Sequence, residues 1–208
     1  VRTNYIVPLG CDYKRIRVEY LIDHRVSRRA MAKSDSFFIR GTVSANGTTY
    51  VQSEIDLGSY VNLGVSKSTL LRIHNISVQM AAGAAAVDNI SASSAVRIGH
   101  QLTTQSQTGL IYADDKSVVA TGAMQLYNAQ VAEDGSAAAD FATGFASHDF
   151  DVAPQDFTNG YLIGVDSLFL GVDQSGTTGN DVRIAYVMEC TLEAATQTNS
   201  VALALSQQ

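Results

Sequence analysis

From Val182 to Leu192 every even position is apolar (Val182, Ile184, Tyr186, Met188, Cys190 and Leu192), while Arg183, Glu189, Thr191 and Glu193 keep the other side mostly polar. A two-residue period held this long puts every second side chain on one face of an extended strand. One dry face and one wet face mark an antiparallel sheet, because strands of a parallel sheet are covered on both sides and read as unbroken apolar runs.

The same alternation recurs along the chain. Lys14–Ile22 sets Ile16, Val18, Tyr20 and Ile22 against Arg15, Arg17 and Glu19, which predicts the first strand. Phe37–Ser44 and Tyr50–Leu57 flank Asn46-Gly47, two residues that tolerate the positive φ of tight turns, and together they predict a hairpin. Within Leu70–Met80 the parity switches from Leu71 and Ile73 to Ile76, Val78 and Met80, which calls for a bulge near His74 or Asn75. Further strands are expected around Val96–Leu102, Leu110–Tyr112, Ser117–Tyr127 and Asp149–Val152. Tyr161–Val172 is apolar enough to be one strand buried on both sides, and Val201, Leu203 and Leu205 suggest a terminal strand or exchanged arm. Residues 81–95 are small and of low complexity, read as a surface loop or a short helix. Phe141 and Phe145, four apart within Glu133–Ser147, predict a helix.

Eight or nine strands without a 20–50-residue repeat disfavour propellers and solenoids. They predict an all-β fold, a two-sheet antiparallel sandwich of the eight-stranded jelly-roll kind with long small-residue loops. The expected organisation is an extended arm over residues 1–13, a sandwich over 14–193 and a C-terminal arm or terminal strand over 194–208. At 208 residues one core suffices, and 46% apolar against 16% charged residues exclude a disordered chain. No apolar run approaches the roughly 18 residues of a membrane-crossing helix, so a soluble chain is expected. The chain opens at Val1, and an initiator or longer leader is expected upstream.

Charge changes the picture more than composition does. Residues 1–40 carry nine of the fourteen basic residues and four acidic ones, a net +5, and leave −11 for the remainder of a chain whose total is −6. A basic front on an acidic body can mark a polyanion-facing surface, complementary patches between identical subunits, or an ordinary solvated face. The residues that would form such a nucleic-acid or intersubunit face are Arg15, Arg17, Arg25, Arg28 and Arg29.

No catalytic residues, metal ligands or cofactor motif are assigned. His24, His74, His100 and His148 are scattered, without the close spacing of zinc ligands. The carboxylates of His148-Asp149-Phe150-Asp151, of Asp114-Asp115 and of the loop Asp173–Asp181 read as solvated or turn residues, since no full set of calcium oxygens accompanies them. Serine elbows, phosphate-binding loops and dinucleotide fingerprints are missing, so the chain is not expected to be an enzyme. Cys190 lies on the apolar side of its strand and reads as a buried free thiol, with a bridge to Cys11 as the alternative. The sequons at Asn46, Asn75 and Asn89 carry no weight.

The arrangement from Lys14 to Glu193, with a basic leading segment, alanine- and serine-rich loops and a strand-like tail, resembles the single jelly-roll capsid proteins of icosahedral viruses. The lead-in Val1–Asp12 departs from the strongly basic arm of many such capsids. The resemblance implies a virion shell subunit, major or minor, whose partners are copies of itself and other capsid proteins. It also implies that the basic segment could face a genome or an internal membrane. The alternatives are another self-assembling β protein (tail-tube, decoration or surface-layer subunit) and a carbohydrate-binding sandwich, which the absence of tryptophan disfavours.

Overall fold

A computed structural model describes residues 35–45, 47–63, 65, 67–82, 90, 94–128 and 143–208. They form nine strands: β1 (Phe37–Ala45), β2 (Val51–Asp56), β3 (Ser68–Ala82), β4 (Ser94–Thr103), β5 (Val118–Asn128), β6 (Thr143–Val152), β7 (Tyr161–Ile163), β8 (Ser167–Gln174) and β9 (Val182–Ala195). One helix follows, α1 (Gln197–Ser206). The strands make two antiparallel sheets, β1-β9-β3-β7 and β2-β8-β4-β5-β6.

Across that order β1 pairs with β9, β2 with β8, β3 with β7 and β4 with β5. The first half of the chain is thus matched strand by strand to the second half in reverse, as in one long hairpin rolled into two layers. This is the jelly-roll winding. The departure from eight strands is β6, which is inserted between β5 and β7 and extends the second sheet beyond β5.

Alternation builds the core. Even positions of β9 from Val182 to Cys190 all point inward and are buried, and they meet Ile98, Leu102, Leu126, Leu168, Leu170 and Val172 of the facing sheet in one cluster. Burial of such side chains contributes roughly 1.5–3 kcal/mol each. The parity switch in β3 is a bulge: the pairing with β9 slips between Ile73 and Asn75, so that Ile73 and Ile76 both face the core. The ring of His74 is left on the outer side, where Nε2 lies 2.9 Å from Thr191 Oγ1.

Five expectations are corrected. β1 and β2 do not form a hairpin; each joins a different sheet, and Gly47 with φ of 82° turns the chain between layers. Tyr161–Val172 is two strands, β7 and β8, in opposite sheets. Leu110–Tyr112 is loop, held by its contacts with the face of the second sheet. Residues 143–147 belong to β6 rather than a helix, because pairing with β5 outweighs the local spacing. The C-terminal segment beyond Thr196 is a helix rather than a terminal strand. The strand expected at Lys14–Ile22 and the arm at 1–13 lie outside the described residues, as do residues 129–142 and most of the loop at 81–95.

Candidate functional site

The buried polar centre of the sandwich is built where β4 crosses β9. His100 stands on the inward parity of β4 and is fully buried, and its Nδ1 shares a hydrogen bond with the hydroxyl of Tyr186. Phe150 of β6 meets both rings edge-on, with centroids 5.4 Å from His100 and 5.7 Å from Tyr186. Burial pushes the Tyr186 phenol well above its ordinary range, so it stays protonated and able to donate. The arrangement joins the two sheets; His100 and Tyr186 are sealed from solvent, and Phe150 is partly buried. Beside it, burial pushes the Cys190 thiol up to about 12, which keeps it from acting as a nucleophile at neutral pH.

The outer face of the second sheet is covered by its own chain. Gln101, on the outward parity of β4, is fully buried: Nε2 donates to Gly109 O and to Tyr50 Oη, both at 2.9 Å, and Oε1 accepts from Ile111 N at 2.8 Å. These bonds strap the 104–117 loop over the sheet. Gly171 of β8 lies under the Tyr50 ring, close enough that a side chain there would collide with it. Gln52 adds to the strap, with Oε1 accepting from Gln107 N at 3.0 Å.

The C-terminus closes the same end. Thr196 caps α1, its hydroxyl accepting from Asn199 N. Ser200 Oγ then donates to Ser68 Oγ at 2.9 Å. Gln207, buried, accepts at Oε1 from Gly164 N, donates from Nε2 to Leu162 O, and takes the Thr104 hydroxyl on its own carbonyl. One residue thereby ties the β7–β8 turn to the β4–β5 loop.

An open groove of about 650 Å³ lies between α1 and residues 157–162. At its polar end the Arg72 guanidinium forms a two-pronged ion pair with Glu193 and donates from Nη1 to Asn159 O at 2.6 Å. The hydrogen bond to Glu193 raises the Arg72 pKa further, so its charge is permanent. That charge is spent within the fold, and the groove offers a ligand chiefly the exposed ring of Phe157 and the Lys116 ammonium stem.

A different surface lies on the opposite flank, where β1 and β2 are the edges of their sheets. β1 pairs with β9 one-to-one over all nine residues, from Phe37↔Cys190 to Ala45↔Val182, and among the described residues its other side carries no strand. The remaining edges are blunted: β7 has three residues, β2 has six and carries Glu54 and Asp56, and β6 slips register against β5 between Thr121 and Ala123. On β1 the sole charge is Arg40, whose guanidinium carbon lies 5.9 Å from the centroid of the Phe38 ring. Phe38 is 53% exposed. Val51 shares the inward parity of buried Ile55 and is still 36% exposed.

Of the residues singled out in the sequence, Arg15, Arg17, Arg25, Arg28 and Arg29 lie outside the described residues, as do His24, Asn46 and Asn89. Asp115 is a turn residue whose Oδ1 accepts from both the hydroxyl and the amide of Ser117, which lowers its pKa. Asp173 caps the amide of Gln174, and Thr178 closes the 175–181 loop on Asn180 O. Cys190 is free. Among the described residues no group of three or more His, Cys, Asp or Glu is placed to hold a metal ion, and no helix is long and apolar enough to cross a membrane. Gln101 and Gln207 had no signal in the sequence beyond being amides. Comparison with protein-family models, with curated proteins and with solved structures returns no match.

Proposed function

We propose that the chain is a structural subunit that assembles with copies of itself into a closed shell, a viral capsid protein of the single jelly-roll type. The observation that carries the reading is the strand order, β1-β9-β3-β7 facing β2-β8-β4-β5, on a chain with a basic front and an acidic body. Fold alone hosts many functions, so the argument from winding to shell is one of analogy. The physical support is the surface: among the described residues the outer side of β1 carries no strand, and Phe38, Tyr112, Tyr127 and Phe157 are exposed, features suited to broad contact with another protein.

On this reading function is assembly rather than turnover. Each subunit contact needs only modest strength, because a closed symmetric shell multiplies it. The basic segment with Arg15, Arg17, Arg25, Arg28 and Arg29 then faces a neighbouring subunit, a genome or an internal membrane. Negative-stain images and light scattering of the purified chain test the proposal. Closed particles of uniform diameter support it; tubes, flat lattices or a stable monomer overturn it.

A further inference from the structure

We propose that copies of the chain join in pairs at the end of the sandwich where α1 and residues 157–162 frame the groove, the ring of Tyr112 of each copy seating in the groove of the other. The inference rests on the self-assembly reading and names one contact through which copies join; a closed shell needs others besides this two-fold one.

Three observations point to this end of the molecule. The first is where apolar side chains are left open to solvent. Among the described residues Tyr112, Phe157, Val201 and Leu205 are large, apolar and exposed, and they are carried by the three segments that border the groove, namely the 104–117 loop, residues 157–162 and α1. Tyr112 is the extreme, at 88%. The second is how that ring is presented. Gln101 holds Gly109 O and Ile111 N on one side of Tyr112, while on the other Asp115 N donates to Tyr112 O at 3.1 Å and Asp115 Oδ1 accepts from Ser117. The backbone is thus fixed on both sides of a ring that adds nothing to the core. A pre-ordered aromatic loses little entropy when a partner buries it, and tyrosine is enriched among the residues that carry interface energy.

The third observation is charge. In a chain with 20 acidic residues and a net charge of −6, no acidic side chain lines the groove. Of its two cations, Arg72 is paired with Glu193, and Lys116 stands exposed two positions from the exposed Asp114. A ring beside a groove, and an anion beside a cation, make one self-complementary patch. A two-fold contact requires such a patch, since residue i of one copy meets j of the other and j meets i.

In this pairing the Tyr112 ring meets Phe157 and Leu203, its hydroxyl finds Asn159 and Ser206, and Asp114 of each copy faces Lys116 of the other. A groove of about 650 Å³ is large enough for one such side chain and the turn that carries it. The chain's own Tyr112 is not the occupant, because its ring is open to solvent. The ion pairs lie in water at the rim and set alignment rather than strength, which comes from the two rings. Tyr112 and the groove belong to one compact unit, Ala32–Gln208. The same loop then has two roles: its buried side roofs β4 and β8, and its outward tip meets a second copy.

The test uses the full chain. A photo-crosslinking phenylalanine analogue replaces Tyr112, this chain is mixed with isotope-labelled parent chain, and crosslinked peptides are mapped by mass. Crosslinks from position 112 to residues 157–162 or to α1 of a labelled chain are expected. A charge exchange reads the two-fold symmetry. Asp114→Lys and Lys116→Asp each set like charges against one another twice per contact, and each should raise the concentration needed for association about tenfold. An equimolar mixture of the two variants should associate at the parent's concentration. Tyr112→Ser should raise that concentration about a hundredfold, the ring being lost twice per contact, and leave the urea midpoint of the dissociated chain unchanged. Three outcomes overturn the inference and leave the assembly reading intact: particles form while position 112 crosslinks only within its own chain; it crosslinks to a different surface of the other copy; or the mixed charge variants associate no better than either alone. A parent chain that is monomeric at every concentration overturns both.

Discussion

Two surfaces of this sandwich are finished in opposite ways. On one, the outer face of β4 and β8 is roofed by the 104–117 loop, and the polar groups trapped beneath it, Gln101 above all, have partners. On the other, among the described residues, β1 ends its sheet, with Phe38 and Val51 exposed. A buried amide tolerates no missing partner, whereas an exposed edge is satisfied by water until a better partner arrives. The roofed face therefore belongs to stability, and on the proposed self-assembly reading the exposed β1 side is left for association.

That contrast can be broken at several strengths. The largest effect is expected in the centre both surfaces share: Tyr186→Ala removes a fully buried ring and its bond to His100, and should cost about 3–5 kcal/mol in urea unfolding. Gln101→Leu keeps the volume but orphans the groups that pin the loop, and should cost about 2–3 kcal/mol while amide exchange of residues 104–117 accelerates. If exchange there is unchanged, the loop is held by something other than Gln101.

Gln207→Ala removes the side-chain bonds that hold Leu162 and Gly164 at the β7–β8 turn to the C-terminus while keeping the Thr104 bond to the main-chain carbonyl; about 1–2 kcal/mol and earlier proteolysis at α1 are expected. Phe38→Ser should move the urea midpoint of dissociated chain by less than about 0.5 kcal/mol while weakening assembly. A large loss of monomer stability would place Phe38 on the stability side and erase the distinction.

Alkali offers a separate probe of the sealed interior. Cys190 has its folded pKa raised to about 12 from an ordinary 9.0, so the folded state holds its proton more tightly than the unfolded chain does. Its contribution is complete below pH 9 and is lost as pH rises toward 12; Tyr186, also raised by burial, acts in the same sense above 10. The fall in urea midpoint between pH 9 and 12 should be smaller in Cys190→Val than in the parent. At pH 8 the thiol should resist modification until the chain is unfolded.

How much of this was legible in the sequence depends on the range of the force involved. The parity switch around His74 announced the bulge because alternation is a local geometric constraint. Asn46-Gly47 announced a turn but not its partners, since the same turn can close a hairpin or carry the chain to another layer. Val201, Leu203 and Leu205 misled by alternating, whereas the residues that dock α1 are Ser200, Leu203 and Gln207, at helical spacing, behind a Thr196 cap. Phe141 and Phe145 misled in the reverse direction: residues 143–147 lie in a strand paired to β5.

Binary patterning by itself determined that the chain forms one-sided strands in number sufficient for two stacked sheets, because each side chain's face follows from its own position in the pleat. Which strands pair, that a ninth joins the second sheet, that a glutamine and the penultimate residue lock the loops, and that no described strand covers the outer side of β1 were decided only in three dimensions. Those outcomes depend on residues tens to more than a hundred positions apart meeting in one place, and the cost of an unpaired polar group or an open edge exists only once its surroundings have formed.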